Sequence, residues 1–149
     1  MSHAARLGPI HHVAIVVRSI EVSLARYREL FALEPEAAPV TFAPQGVRLC
    51  FLATGSGLAA RIELIEPIDP DGGVGRFLEA RGEGLHHVCF VTDDLPTELE
   101  HLASYEAELI DRDPRPGAHG TVAFVHPRTL NGVLWELLQP RPQDSQVKP

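Results

Sequence analysis

Apolar positions divide the chain into two passes through the same order of elements. Residues 10–17 are a continuous apolar run rich in β-branched side chains, the pattern of a strand covered on both faces. Ser19 follows as a helix N-cap. Ile20, Leu24, Tyr27 and Phe31 then recur at steps of four, three and four, one face of an amphipathic helix that Pro35 closes. Strands are expected over 38–43, where prolines interrupt the pattern, over 47–53 and over 59–65, the last two joined through Gly55-Ser56-Gly57. This is β-α-β-β-β. A turn-rich bridge (67–73) and a short helix (74–80) lead to a second pass. A strand over 85–91 precedes a helix opened by Asp93, Asp94 and Pro96, with Leu95, Leu99 and Leu102 on its apolar face. Strands over 108–111, 121–125 and 132–138 complete the pass, with a loop over 114–120.

The two passes share residues as well as order. Pro9-Ile10-His11-His12-Val13-Ala14-Ile15-Val16 is echoed by Gly84-Leu85-His86-His87-Val88-Cys89-Phe90-Val91. Ile62-Glu63-Leu64-Ile65-Glu66-Pro67 is echoed by Trp135-Glu136-Leu137-Leu138-Gln139-Pro140. Roughly fifty positions separate His from Glu in each copy, which marks an internal duplication. The pattern predicts an α+β fold, with tandem βαβββ units forming a curled mixed sheet around a cleft. One domain is expected over residues 8–140, with repeats at 8–67 and 84–140, followed by a polar, proline-rich and disordered tail over 141–149.

The duplication places His12, Glu63, His87 and Glu136 at matching positions. Two imidazoles and two carboxylates suit a divalent cation such as Co, Zn, Mn, Ni or Fe. Four ligands on an octahedral ion leave two neighbouring positions for a substrate with two adjacent oxygens. A single histidine on a strand is more often an ordinary structural residue. A glutamate inside an apolar strand says more, because burying a carboxylate without a partner costs several kcal/mol. Neighbours on a strand face opposite ways, so only one histidine of each pair can join the site, and spacing leaves open which.

Composition narrows the classes. The 149 residues carry a net charge of −7, which argues against nucleic-acid binding. There is no apolar run long enough for a membrane span, and residues 1–7 lack a signal-peptide core. Cys50 and Cys89 lie inside apolar strands and read as buried, reduced thiols, which suits a cytoplasmic protein.

Several stretches resemble the methylmalonyl-CoA epimerases of the vicinal-oxygen-chelate superfamily. They are Pro44-Gln45-Gly46-Val47-Arg48, Arg61-Ile62-Glu63-Leu64-Ile65-Glu66-Pro67, the run from Phe77 to His87, Pro114-Arg115-Pro116-Gly117-Ala118-His119-Gly120, Phe124-Val125-His126-Pro127-Arg128 and Gly132-Val133-Leu134-Trp135-Glu136-Leu137. The resemblance implies that the second histidine of each pair is the ligand. His12, Glu63, His87 and Glu136 would then hold a divalent metal, and the protein would interconvert the 2R and 2S forms of methylmalonyl-CoA through a chelated enediolate. Glu136 is one acid/base candidate. The position of a second carboxylate proposed for some members is Leu49 here, so Glu63, a water or another residue would have to stand in, or the substrate differs. Gln45, His119 and Arg128 are substrate-side candidates, each weighed against an ordinary turn or surface role. The resemblance further implies an acyl-CoA substrate and a homodimer. A glyoxalase I-type lactoylglutathione lyase could use the same four ligands. A non-haem iron dioxygenase wants one carboxylate fewer, and a drug-sequestering binding protein of the same fold needs no metal.

Overall fold

The computed structural model describes residues 7–55 and 59–143. The expected tail beyond residue 143, the Ser56-Gly57 part of the expected connection and residues 1–6 lie outside the described residues. The chain divides into two compact units, His12–His86 and Met1–His11 with His87–Pro149. Each carries a βαβββ order, so the fold class is α+β as the pattern predicts. Among the described residues no helix is long and apolar enough to cross a membrane.

In the His12–His86 unit, strand β1 (Leu7–Val16, its first half counted with the other unit) leads into helix α1 (Ile20–Phe31). The Ser19 hydroxyl accepts a hydrogen bond from Val22 N–H at the helix start. Strands β2 (Val40–Phe42), β3 (Val47–Leu52) and β4 (Arg61–Pro67) follow, then helix α2 (Gly73–Arg81). The strands lie in the order β2-β3-β4-β1, with β1 and β4 parallel and the other neighbours antiparallel. Ile20 and Leu24 of α1 pack on Cys50, Leu52 and Leu64, with Ile15, Tyr27 and Ile62 against the same cluster. Alternation then turns His12, Ala14, Val16, Leu49, Phe51, Glu63 and Ile65 to the face away from α1.

The second unit repeats the plan. Strand β5 (Gly84–Thr92) precedes helix α3 (Leu95–Ser104), then β6 (Arg115–Pro116), β7 (Gly120–Val125) and β8 (Trp135–Pro140). Asp94 caps α3 through a bond from Thr97 N–H. The order is β5-β8-β7-β6, with β5 and β8 parallel. Leu95 and Leu99 pack on Ala123 and Leu137, with Phe90 and Leu102 beside them. Cys89, Val122, Phe124 and Leu138 form a separate cluster on the opposite face.

Several local expectations differ from the structure. The 38–43 strand shrinks to Val40–Phe42 because Ala43–Gln45, containing Pro44, turns as a 3-10 helix. Residues 108–111 make only an isolated bridge, Leu109 to Val125. The Asp111 carboxylate accepts from Phe124 N–H there, so a side chain supplies what a paired strand would. The loop over 114–120 instead contributes β6. Phe31 is 67% exposed and tilts against Tyr27 at 6.5 Å instead of entering the core, and α1 ends on Ala32 in the left-handed region (φ 54°) before Pro35 is reached.

Candidate metal and proton-transfer site

Each unit builds the same small constellation. In the first, β1 carries His12 and β4 carries Glu63, and parallel pairing sets Glu63 opposite Ala14, two positions along from His12. The His12 Nε2 and Glu63 Oε2 atoms are 2.9 Å apart. In the second, β5 carries His87 and β8 carries Glu136, paired opposite Cys89, again two positions along. The His87 Nε2 and Glu136 Oε2 atoms are 2.7 Å apart. Both glutamates are 7% exposed, and the histidines 3% and 6%. The structure therefore puts the second histidine of each pair with the glutamate. His11 and His86 are half-buried: His11 lies 6.0 Å from the His119 ring, and His86 meets Phe77 edge-on at 4.9 Å.

An aromatic ring backs each pair. Phe51 sits opposite Glu63 across β3 and β4, and its ring meets His12 edge-on at 5.3 Å. Phe124 sits opposite Glu136 across β7 and β8, and its ring meets His87 edge-on at 5.4 Å. A guanidinium covers each ring, Arg61 at 5.7 Å over Phe51 and Arg115 at 5.2 Å over Phe124. Arg61 is itself paired with Glu36 at 2.9 Å and Arg115 with Asp111 at 3.0 Å. The phenylalanines were not among the residues picked from sequence. Their signal was available: Leu49-Cys50-Phe51-Leu52 and Val122-Ala123-Phe124-Val125 stand at the same distance before Glu63 and Glu136.

The donor chemistry fits a divalent cation. Within each pair the outer imidazole nitrogen and a carboxylate oxygen face one another, and both glutamates are buried enough to need a countercharge. Cys50 lies on the α1 side of β3. Burial, with the Glu63 charge adding to it, pushes its thiol up to about 11, which leaves it protonated and unreactive at neutral pH.

The three substrate-side candidates sit on connections. Gln45 is half-buried and ends the 3-10 turn before β3. His119 is half-buried just before β7. Arg128 is exposed, and Glu108 holds its guanidinium at 2.7 and 3.2 Å.

The family model described as the glyoxalase/bleomycin resistance protein/dioxygenase superfamily matches residues 11–125. An ethylmalonyl-CoA/methylmalonyl-CoA epimerase of Cereibacter sphaeroides is 33% identical, over 89% of this chain and 98% of its own. The chain belongs to the methylmalonyl-CoA epimerase family of this superfamily. Methylmalonyl-CoA epimerase from Mycobacterium tuberculosis has the same fold, with a TM-score of 0.85 at 28% identity, covering 97% of this chain and 96% of that one. A Bacillus subtilis protein, YqjC, is 39% identical over 91% of this chain and 94% of its own. Family membership thus agrees with the resemblance drawn from the sequence.

Proposed function

We propose that the protein is an isomerase that interconverts the 2R and 2S forms of methylmalonyl-CoA, with one divalent cation held by His12, Glu63, His87 and Glu136. The observation that carries this reading is the duplicated, buried imidazole–carboxylate pair in a member of the epimerase family. Co, Zn, Mn, Ni and Fe all suit such donors. Held by these four residues, such a cation would supply Lewis-acid stabilisation of the enediolate left when the C2 proton is removed.

The chain's own carboxylates do the rest. Epimerisation needs a proton removed from one face of C2 and another delivered to the opposite face. Glu63 and Glu136 supply one proton-transfer group from each unit: one accepts the C2 proton at a carboxylate oxygen, and the other, protonated, donates. The roles exchange for the opposite epimer. Leu49 cannot transfer a proton, and its counterpart in the second unit, Val122, cannot either. This supports two glutamates working alone. Gln45 and His119 are assigned to substrate contact, and Arg128 to the CoA phosphates once it leaves Glu108. The single domain over 8–140, the homodimer and a cytoplasmic setting belong to the same proposal. The buried thiols Cys50 and Cys89 support the last of these.

The test is stereochemical. Supplied with the 2S epimer alone, the metal-loaded protein should bring the mixture to equal amounts of 2S and 2R, and Glu63→Gln and Glu136→Gln should each slow this by at least about 100-fold. A 2S sample that stays unchanged would sink the assignment.

A further inference from the structure

On its β3 side, Glu63 is flanked by a wall of buried apolar side chains. Antiparallel pairing of β3 and β4 sets Phe51 opposite Glu63 and Leu49 opposite Ile65, so Leu49 is the diagonal neighbour of Glu63 on the same face. Residues in that relation lie about 7–8 Å apart, their Cβ atoms somewhat closer, within reach of long side chains. Leu49 is 3% exposed, Ile65 3% and Val47 1%, so the wall is closed behind. In the second unit Val122 stands at the same place relative to Phe124 and Glu136, and it too is buried, at 1%. Both copies therefore carry an alkyl side chain next to the proton-transfer carboxylate.

This wall has a consequence for the substrate. The carbon that gives up its proton to Glu63 also bears the one part of the acid that is neither oxygen nor thioester, the 2-alkyl group. That group must lie within a few ångströms of the carboxylate that takes the proton. The buried side chains beside Glu63 on that face include Phe51, which backs His12, and Leu49, the aliphatic one set diagonally across from the carboxylate. A closed, close-packed wall tolerates little added volume.

We infer that Leu49 is a specificity-determining residue: its side chain bounds the 2-alkyl substituent and limits efficient turnover to short-chain 2-alkylmalonyl thioesters, with methyl preferred over ethyl. This deepens the epimerase reading and rests on it. Leu49→Val opens the wall by about one methylene equivalent and Leu49→Ala by about three. One methylene in an apolar pocket is worth about 10-fold or more in discrimination.

The experiment compares kcat/KM for epimerisation of methylmalonyl-CoA and ethylmalonyl-CoA by the metal-loaded wild type, Leu49→Ala and the milder Leu49→Val. The ethyl-to-methyl ratio should rise by about 10-fold in Leu49→Ala and by a smaller factor in Leu49→Val. Because the readout is a ratio on one enzyme, a general loss of stability or metal cancels from it. If Leu49→Ala fails to fold, Leu49→Val carries the test, since a single methylene removed from a core is usually tolerated. An unchanged ratio in a variant that turns over methylmalonyl-CoA would overturn the role of Leu49 and leave the epimerase reading standing. Wild type that turns over neither thioester would overturn both.

Discussion

At the scale of single residues, the account turns on which atoms are buried beside which. Glu63 and Glu136 could be picked from sequence because a carboxylate inside an apolar strand is expensive, and the same expense appears in both copies. The choice within each His-His pair was not legible, because a strand sends neighbours to opposite faces and spacing cannot say which face matters. In the folded chain the second histidine of each pair is the one that lies against a glutamate, and the proposed site takes that one. His87→Ala should therefore abolish stoichiometric metal binding, whereas His86→Ala, which removes the edge-on contact with Phe77 and leaves both imidazole–carboxylate pairs in place, should retain it. Elemental analysis of the two purified variants checks this, and metal retained by His87→Ala would refute it. Cys50 gives a second prediction at this scale. Its thiol is pushed up to about 11 from an ordinary value of 9.0, chiefly by burial. The unfolded chain loses this proton first, so the contribution to stability is present below pH 9 and is lost as pH rises toward 11. Native protein at pH 8 should resist alkylation at Cys50, and urea-unfolded protein should not. Mass spectrometry after iodoacetamide treatment reads the difference.

At the scale of elements, the last strand of each unit does two jobs three residues apart. Glu63 faces its histidine, and Glu66 accepts a hydrogen bond from Ile20 N–H at the start of α1 at 2.9 Å. Glu136 faces its histidine, and Gln139 accepts from Leu95 N–H at the start of α3, also at 2.9 Å. The strand that carries the site is thus fastened to the helix behind it in both units. Glu66→Ala should cost about 1–2 kcal/mol, because it removes a charged acceptor at a helix N-terminus and also the partner of Arg48. Gln139→Ala should cost about 1 kcal/mol. Urea denaturation measures both, and losses below a few tenths would show that the tie is idle. Most elements were legible from periodicity and punctuation: the Ser19 and Asp94 caps and the cores of β1, β3, β5 and β7 fall where expected. Failures came where a tertiary contact or a local turn overrides the apolar pattern. Residues 108–111 have a strand-like sequence, but the Asp111 side chain takes the Phe124 N–H. β8 begins at Trp135 because Asn131 and Gly132 turn with positive φ. The helical pattern alone could not show that Phe31 lies outside the core.

At the scale of the whole chain, duplication explains why so much of the site could be read in advance. Two copies of one unit retain the same His, Phe and Glu at the same places, each phenyl ring lying between its histidine and an arginine. The tiers themselves depend on strand register, which a sequence specifies only indirectly. They were therefore seen only in the folded chain. The proposed mechanism draws one carboxylate from each unit, Glu63 from the first and Glu136 from the second. The measurement that tests this most directly is proton exchange at C2. Metal-loaded protein is incubated with methylmalonyl-CoA in heavy water, and deuterium at the 2-position is followed by mass spectrometry, with and without a chelator. The account predicts rapid incorporation that the chelator stops and added divalent metal restores. Incorporation no faster than in protein-free buffer would contradict it.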